Sequence, residues 1–343
     1  MKITRLRVQN FRIHSDKSID FNPGVNAITG ANGSGKTSLA EAIYITLRGS
    51  SFKTGDDKII RAGSEWYRID VEFDNNSIRT VKFKNSQDAK KKIFEIDGKN
   101  YTRLPVSKKI PVVLFEPDDL RLISGSPARR RDYLDKTIDI VDPTYGTLVR
   151  RYERILLQRN KLLKTNPNTD DLFAWNVSLS EYGSQIIEKR KQFCKYFNDN
   201  ISDTYKQISG TNDLIEIHYD KHGGVEKKSQ LLSALESNLD KDLVLGYTTV
   251  GPHRHDTRFM INNSPAESTA SRGEIRSVVL SMKFLTEKII KQTLGISPLV
   301  ILDDVFSELD EKRQKLTMEY FSQSQIISTS TNVSEKSKNE IRL

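Results

Sequence analysis

A glycine-rich segment near the beginning of the sequence constrains this chain more than any other feature. Residues 30–37 read GANGSGKT, which has the spacing G-x-x-x-x-G-K-T. Residues 24–29 have the pattern of a short buried strand, and residues 37–49 place apolar side chains on one face of a helix. A strand, a glycine loop and a helix in this order favour phosphate binding, because loop N–H groups and the positive helix end point toward the anion.

The loop predicts ATP and Mg²⁺ as cofactors. Lys36 would reach the β- and γ-phosphates and take part in catalysis, while the Thr37 hydroxyl would bind Mg²⁺. The predicted nucleotide-binding residues of the loop are Gly30, Ala31, Asn32, Gly33, Ser34, Gly35, Lys36, Thr37 and Ser38. A chance match in a glycine-rich turn is the alternative, and the complete motif in its proper context disfavours it.

A second half of the site is predicted near the other end of the sequence. The apolar run at residues 298–302 predicts a buried strand that ends in Asp303-Asp304. A carboxylate at a strand end beside a phosphate loop is typical of a Walker B site, in which Asp303 would hold Mg²⁺ and Asp304 would orient or deprotonate the attacking water. A plain turn after an apolar run is the alternative.

The separation of the two halves predicts the domain organisation. Asp303 lies 267 positions after Lys36 (303 minus 36), whereas a small kinase or GTPase closes its site within far fewer residues. We therefore predict an α/β fold in which residues 1–115 and 246–343 build one ATPase domain. Residues 116–245 would form an inserted, mainly helical, basic lobe.

Hydrophobic patterns add detail to both parts. Strict alternation between residues 67 and 101 predicts an antiparallel β-meander. Helical periodicity from about residue 146 to residue 209, with a break at 165–171, predicts two antiparallel helices. The polar segment 334–343 is expected to be frayed.

A helix start before the Walker B strand predicts a dimer. The sequence Ser271-Arg272-Gly273-Glu274 opens an apolar helical pattern, so a hydroxyl and free N–H groups would lie at a positive helix end. The sequence has no second phosphate loop for this end to serve. We therefore expect Ser271 and Gly273 to contact the γ-phosphate held by another copy, which makes an ATP-dependent homodimer.

The charge distribution favours an anionic partner such as nucleic acid, although an acidic membrane surface would suit it too. The chain has 54 Lys and Arg against 45 Asp and Glu, a net charge of +9, and residues 121–164 hold eleven basic and five acidic residues. The candidates for DNA phosphate contacts are Arg129, Arg130, Arg131, Arg150, Arg151 and Arg154. A solvated helix face, or arginines that brace the lobe, is the alternative. A single cysteine and short apolar runs predict a cytoplasmic protein without a membrane partner.

These elements together resemble the ABC-type ATPases, and within them the RecF family of bacterial recombinational-repair proteins, which is related to SMC heads. "SRGE" is similar to the ABC signature, and "SELD" at 307–310 is similar to the D-loop. "LRVQNFR", "RGSSFKT", "LFEPDDLRLISGSPARRRDYLD", "VGPHRHD" and "ILDDVFSELD" resemble RecF blocks in the same order.

The resemblance implies an ABC-ATPase head that binds double-stranded DNA near single-strand gaps. It implies a weak, DNA-dependent ATPase, RecO and RecR as partners, and help in loading RecA. It also implies that Arg12 lies close to the nucleotide and that Glu116, at the position of the Q-loop, belongs to the metal site.

Two departures and one rival remain. His255 stands before Asp256 where the family usually has an acidic residue, and Glu274 stands where it commonly has Gln. The rival is the nucleotide-binding subunit of an ABC transporter, which would carry a switch histidine after the last core strand. Residues 326–332 contain none.

Overall fold

The computed structural model describes residues 1–86, 90–165, 169–220, 224–331 and 339–343. The chain divides into two compact units. The first contains residues 1–119 and 287–343, and the second contains residues 120–286.

Strands and helices are mixed along the chain. In chain order, the strands are β1 (Ile3–Phe11), β2 (His14–Asp20), β3 (Val25–Thr29), β4 (Trp66–Phe73), β5 (Ile78–Asn85), β6 (Lys90–Ile96), β7 (Lys99–Tyr101), β8 (Val112–Phe115), β9 (Ile215–Asp220), β10 (Asp256–Ile261), β11 (Ser264–Pro265), β12 (Leu299–Asp303), β13 (Ile326–Ser330) and β14 (Asn339–Arg342). The helices are α1 (Lys36–Arg48), α2 (Arg121–Ser124), α3 (Pro127–Val141), α4 (Tyr145–Leu163), α5 (Thr169–Asn198), α6 (Ile201–Ser209), α7 (Lys228–Ser237), α8 (Leu239–Leu245), α9 (Ala266–Thr269), α10 (Arg272–Leu294) and α11 (Glu311–Tyr320).

The first unit contains an antiparallel sheet in the order β2-β1-β4-β5-β6-β7. Its alternation has a simple cause: Tyr67, Ile69, Val71 and Phe73 of β4 are buried on one face, since successive strand residues point to opposite faces. The predicted meander is confirmed.

The first unit also contains a parallel sheet in the order β14-β3-β13-β12-β8. Strands β3, β12 and β13 are short and almost wholly buried, as expected for strands that are covered on both faces. Helix α1 contacts strands of both sheets. Its Leu39, Ile43 and Leu47 join the same apolar core as residues of both sheets, so the helix that follows the phosphate loop is packed into that core.

The second unit is mainly helical and includes an antiparallel sheet in the order β11-β10-β9. Its boundary differs from the prediction, because residues 246–286 belong to it rather than to the ATPase domain. The reason is the pairing of β10 with β9 along its whole length, from Asp256–Asp220 to Ile261–Ile215. The boundary falls within α10.

Two further details differ from the predictions. Residues 339–342 form β14, which pairs with β3, so this part of the C-terminal segment is ordered rather than frayed. Residues 334–338 of the same prediction lie outside the described residues. Helix α3 was not predicted individually, because the helical periodicity was noted only from about residue 146 and residues 129–131 were singled out for their charge. None of the helices in the described ranges has the length and apolar character that crossing a bilayer requires.

Candidate functional site

The phosphate loop lies at the carboxyl edge of the parallel sheet, between β3 and α1. Gly33 and Gly35 have φ angles of +83° and +90°, in the region that favours glycine. A Cβ atom at Gly35 would collide with the ring of His14, so this position has no room for a side chain. Burial lowers the pKa of His14, and its Nε2 lies 3.2 Å from the Gly35 carbonyl oxygen, to which it donates.

Lys36 is buried inside the loop that it is predicted to serve. Its Nζ donates to the carbonyl oxygens of Gly30 (2.7 Å) and Ala31 (2.9 Å). The ammonium therefore lies among the backbone groups that would cradle phosphates.

Thr37 and Asp303 come together from opposite ends of the sequence. The Thr37 hydroxyl donates to Asp303 Oδ1 over 2.6 Å, and the Thr329 hydroxyl donates to the same oxygen over 2.8 Å. A hydroxyl and one carboxylate fit Mg²⁺, which usually takes few protein ligands and completes its shell with phosphate and water oxygens. The described residues contain no cluster of three or more His, Cys, Asp or Glu side chains suited to a metal, so any metal here would depend on such added ligands.

Sequence reasoning missed Lys53 as a neighbour of this pair. Its Nζ lies 3.2 Å from Asp303 Oδ2. The sequence offered one signal, the position of Lys53 in the block RGSSFKT, and this block does not indicate which residue the lysine would contact.

Asp304 follows Asp303 in a tight turn. Its φ of +54° is left-handed, and its N–H donates to the Thr329 hydroxyl over 3.0 Å. Asp304 is thus the next residue after the carboxylate that accepts from Thr37, and the same threonine, Thr329, contacts both acidic residues.

Glu116 follows β8 at the same edge of the sheet. Phe115 pairs in register with Leu302, so Glu116 comes level with Asp303 on the neighbouring strand. Its part in a metal site stays a prediction.

Arg12 forms a bidentate ion pair with Glu41 of helix α1. Its Nε and Nη2 donate to Glu41 Oε2 and Oε1 over 3.0 and 2.9 Å, and the Glu41 side chain is only 1% exposed. Arg12 also donates to the Thr54 hydroxyl and the Lys58 carbonyl, each over 3.0 Å. These contacts tie α1 to the segment 54–58, while contact with a nucleotide stays a prediction.

Ser271 begins α10 with a reciprocal cap. Its N–H donates to Glu274 Oε2 over 2.7 Å, and the Glu274 N–H donates to Ser271 Oγ over 3.3 Å. The Glu274 that departs from the family pattern therefore completes a capping box. Ser271 is exposed, and Gly273 lies in the first turn of the helix.

The six candidate arginines fall into two groups. Arg130 is 6% exposed and pairs with both oxygens of Asp256 over 2.8 Å, while Arg131 donates to the His255 carbonyl over 2.8 Å. The burial of Arg130 does not fit the predicted phosphate contact and makes it a brace. Arg129 is half-buried, whereas Arg150, Arg151 and Arg154 are exposed on α4.

The segment 251–256 is a hub of internal bonds in the second unit. The Pro252 carbonyl accepts from Arg190 Nη1 over 2.7 Å, and His253 Nδ1 accepts from the Tyr152 hydroxyl over 2.7 Å. Burial lowers the pKa of His253 to about 3, which keeps its ring neutral. The hydrogen bonds of this segment indicate a structural role.

The chain is similar to known proteins along nearly its whole length. A family model described as RecF/RecN/SMC N terminal domain matches residues 2–343. The DNA replication and repair protein RecF of Natranaerobius thermophilus is 34% identical, over 92% of this chain and 87% of that protein. The protein of the same description from Ruminiclostridium cellulolyticum is 33% identical, over 97% of this chain and 93% of that protein.

Solved structures give the same result. The recombination mediator protein RecF-ATPrS of the RecFOR pathway superposes with a TM-score of 0.90 at 28% identity, over 99% of this chain and 95% of that one. RecF-ATP of the same pathway gives 0.87 at 29% identity, over 97% and 93%. An SMC head bound to the C-winged helix domain of ScpA gives 0.55 at 15% identity, over 97% and 90%, and shares the fold alone. The predicted α/β ATPase-head fold is confirmed, and the chain belongs to the RecF family of DNA replication and repair proteins.

Proposed function

We propose that this chain is an ATP-dependent double-stranded-DNA-binding protein of recombinational and replication-gap repair. The observation that carries the ATP-dependent part of the proposal is the 2.6 Å hydrogen bond from Thr37 to Asp303, which joins the phosphate loop to a strand-end carboxylate from the other end of the sequence. The repair role rests on membership of the RecF family. Structures of relatives described with ATP and with ATPrS support ATP as the nucleotide.

Each residue of the site has a proposed task. The loop N–H groups and Lys36 would bind the phosphates, and Thr37 and Asp303, with Glu116 at the next strand end, would hold Mg²⁺. Bound Mg²⁺ would supply positive charge against the phosphate oxygens. Asp304 orients or deprotonates the attacking water. Because the side chain of Asp304 is shorter than the Glu that many ABC-type ATPases have at this position, we expect slow hydrolysis. ATP binding and hydrolysis would then act as a switch between two states.

A second copy of the chain completes the proposed site. Ser271 and Gly273 lie at the start of the 23-residue helix α10, where N–H groups and the helix dipole favour an anion. The exposure of Ser271 leaves this helix start accessible to the γ-phosphate held by another copy. ATP binding would thus drive head-to-tail dimerisation, and hydrolysis would open the dimer.

The DNA contact is assigned to the exposed arginines of α4. Arg150, Arg151 and Arg154 lie within little more than one helical turn, and such a basic face binds phosphates without reading bases. The RecFOR pathway named for the solved relatives supports RecO and RecR as partners. Gapped DNA as a substrate and help in loading RecA complete the proposal and rest on the family resemblance alone.

Light scattering of the full chain with Mg²⁺, in ATP or ADP and with or without a short duplex, tests the proposal. We expect a monomer in ADP and a DNA-bound dimer in ATP. Ser271→Arg should still bind ATP but stay monomeric, whereas the same change at the nearby exposed Ser268 should leave dimerisation intact. A wild-type chain that binds ATP and remains a monomer with duplex would overturn the clamp.

A further inference from the structure

Lys53 contacts the carboxylate that is expected to serve the metal. The Asp303 side chain is only 2% exposed, and its Oδ1 already accepts hydrogen bonds from the hydroxyls of Thr37 and Thr329. Its Oδ2 lies 3.2 Å from Lys53 Nζ. Among the contacts described for Asp303, Lys53 supplies the compensating positive charge, which a buried carboxylate needs.

The fold aims Lys53 at this position. The N–H groups of Lys53 and Thr54 donate to Ser51 Oγ over 2.8 and 3.1 Å, and the Ser51 hydroxyl donates to the buried Glu41. Arg12 donates to the Thr54 hydroxyl over 3.0 Å. The backbone of residues 51–54 is therefore anchored to α1, the helix that follows the phosphate loop.

The side chain of Lys53 has more freedom than its backbone. It is 41% exposed, so its ammonium can turn toward solvent while the anchored segment stays in place. An ammonium in contact with Asp303 repels a divalent cation that approaches the same carboxylate. The two cations therefore compete.

We propose that Lys53 is a built-in counter-cation of Asp303 that Mg²⁺ entering with a nucleotide must displace. The inference rests on the proposed ATP and Mg²⁺ function of this site. Lys53 is in this view a positioning residue. Before the metal binds, it balances the negative charge of Asp303 and holds this carboxylate in its hydrogen bond with Thr37. It also raises the metal concentration that is needed to fill the site.

Mn²⁺ titration of the full chain with ADP tests this directly. The electron paramagnetic resonance signal of free Mn²⁺ reports binding, after subtraction of binding to ADP alone. Removing the charge in Lys53→Met should tighten Mn²⁺ binding roughly three- to tenfold, because the competing pair is only partly screened by solvent. Lys53→Arg should bind Mn²⁺ as the wild type does.

Lys58→Met is the matched control, because it removes the same charge from the same segment while keeping the Lys58 carbonyl that accepts from Arg12. Equal Mn²⁺ affinities of Lys53→Met and Lys58→Met would overturn the inference. Failure of the wild type to bind ADP and Mn²⁺ together would instead overturn the proposed function on which it rests. The same titration thus separates the two failures.

Discussion

Asp304 has a backbone conformation that few residue types accept. Its φ of +54° is left-handed, a region that Asp and Asn enter more readily than other side chains with a Cβ. Its N–H is held by the hydroxyl of Thr329, which also donates to Asp303. One threonine of β13 therefore orders both acidic residues of the Walker B turn.

The change Asp304→Asn removes a carboxylate without straining this turn. If Asp304 serves as the base, hydrolysis should fall about a hundredfold or more, because general-base catalysis contributes roughly that much. ATP affinity should change little. Phosphate release measured beside binding of a fluorescent ATP analogue checks both expectations. An unchanged hydrolysis rate would remove Asp304 from the mechanism.

His253 makes the stability of the chain depend on pH. Burial holds its folded pKa at about 3, whereas the pKa of the unfolded ring lies near the ordinary histidine value of 6.5. Below that value the unfolded chain takes up a proton that the folded chain refuses. His253 should therefore reduce the unfolding free energy as pH falls from 6.5 toward 3, by about 1.4 kcal/mol per pH unit.

Urea unfolding of the wild type and of His253→Gln between pH 7 and pH 4 measures this difference. Gln keeps an acceptor for Tyr152 and a donor for the Thr248 carbonyl, the two partners of the His253 ring. The variant should show a shallower pH dependence. If the unfolding free energies of the wild type and the variant had the same pH dependence, the folded chain would take up the His253 proton as readily as the unfolded chain does.

The sequence located some of these residues and not others, for a physical reason. The glycine loop and Asp303 could be predicted because each pattern is local in the sequence, and the hydrogen bond from Thr37 to Asp303 brings them together. Lys53 was missed and Arg130 was predicted as a DNA contact, because the structural role of each depends on a partner far along the chain, Asp303 and Asp256 respectively. Charge alone did not distinguish a buried brace from a surface contact.

Helices α3 and α4 use their arginines differently. In α3, Arg130 lies in an ion pair with Asp256 and also donates to the carbonyls of Ile123 and Gly125. In α4, Arg151 and Arg154 are exposed. The basic character of residues 121–164 thus combines an internal brace with an external face.

The exposed face of α4 predicts a salt-dependent contact with DNA. Alanine at Arg151 or Arg154 should weaken duplex binding across all sequences and reduce the salt slope by about one unit. Lys206→Ala, which removes one exposed charge from α6, should leave the slope unchanged. Fluorescence anisotropy with labelled duplexes at several salt concentrations measures the slope. If the arginine variants behave as Lys206→Ala does, α4 is a solvated face.

Secondary structure was predictable where side chains determine it. The meander was found because alternation reflects the two faces of a half-buried sheet. Strand β14 was not found, because its sequence NEIR is polar and its position rests on backbone pairing with β3. Residues 246–286 were assigned to the wrong unit for a related reason. The pairing of β10 with β9 that places them there cannot be read from the sequence of either strand.

The two ends of the chain build one compact unit. Gln325 Oε1 accepts from the Ile3 N–H over 2.8 Å, and its Nε2 donates to the Ile3 carbonyl over 2.7 Å. Strand β13 pairs with β3 over five residues, so the phosphate loop and the Walker B edge are parts of one sheet. A nucleotide at this edge would contact residues from both halves of the sequence at once.

The most direct test of the proposed ATP-dependent DNA binding is the affinity of the full chain for a labelled duplex, with Mg²⁺ and either a slowly hydrolysed ATP analogue or ADP. We expect binding to be about tenfold or more tighter with the analogue, a typical coupling between two sites. Lys36→Met should abolish the difference. Equal affinities for the duplex in both nucleotide states, with nucleotide binding itself intact, would contradict the account.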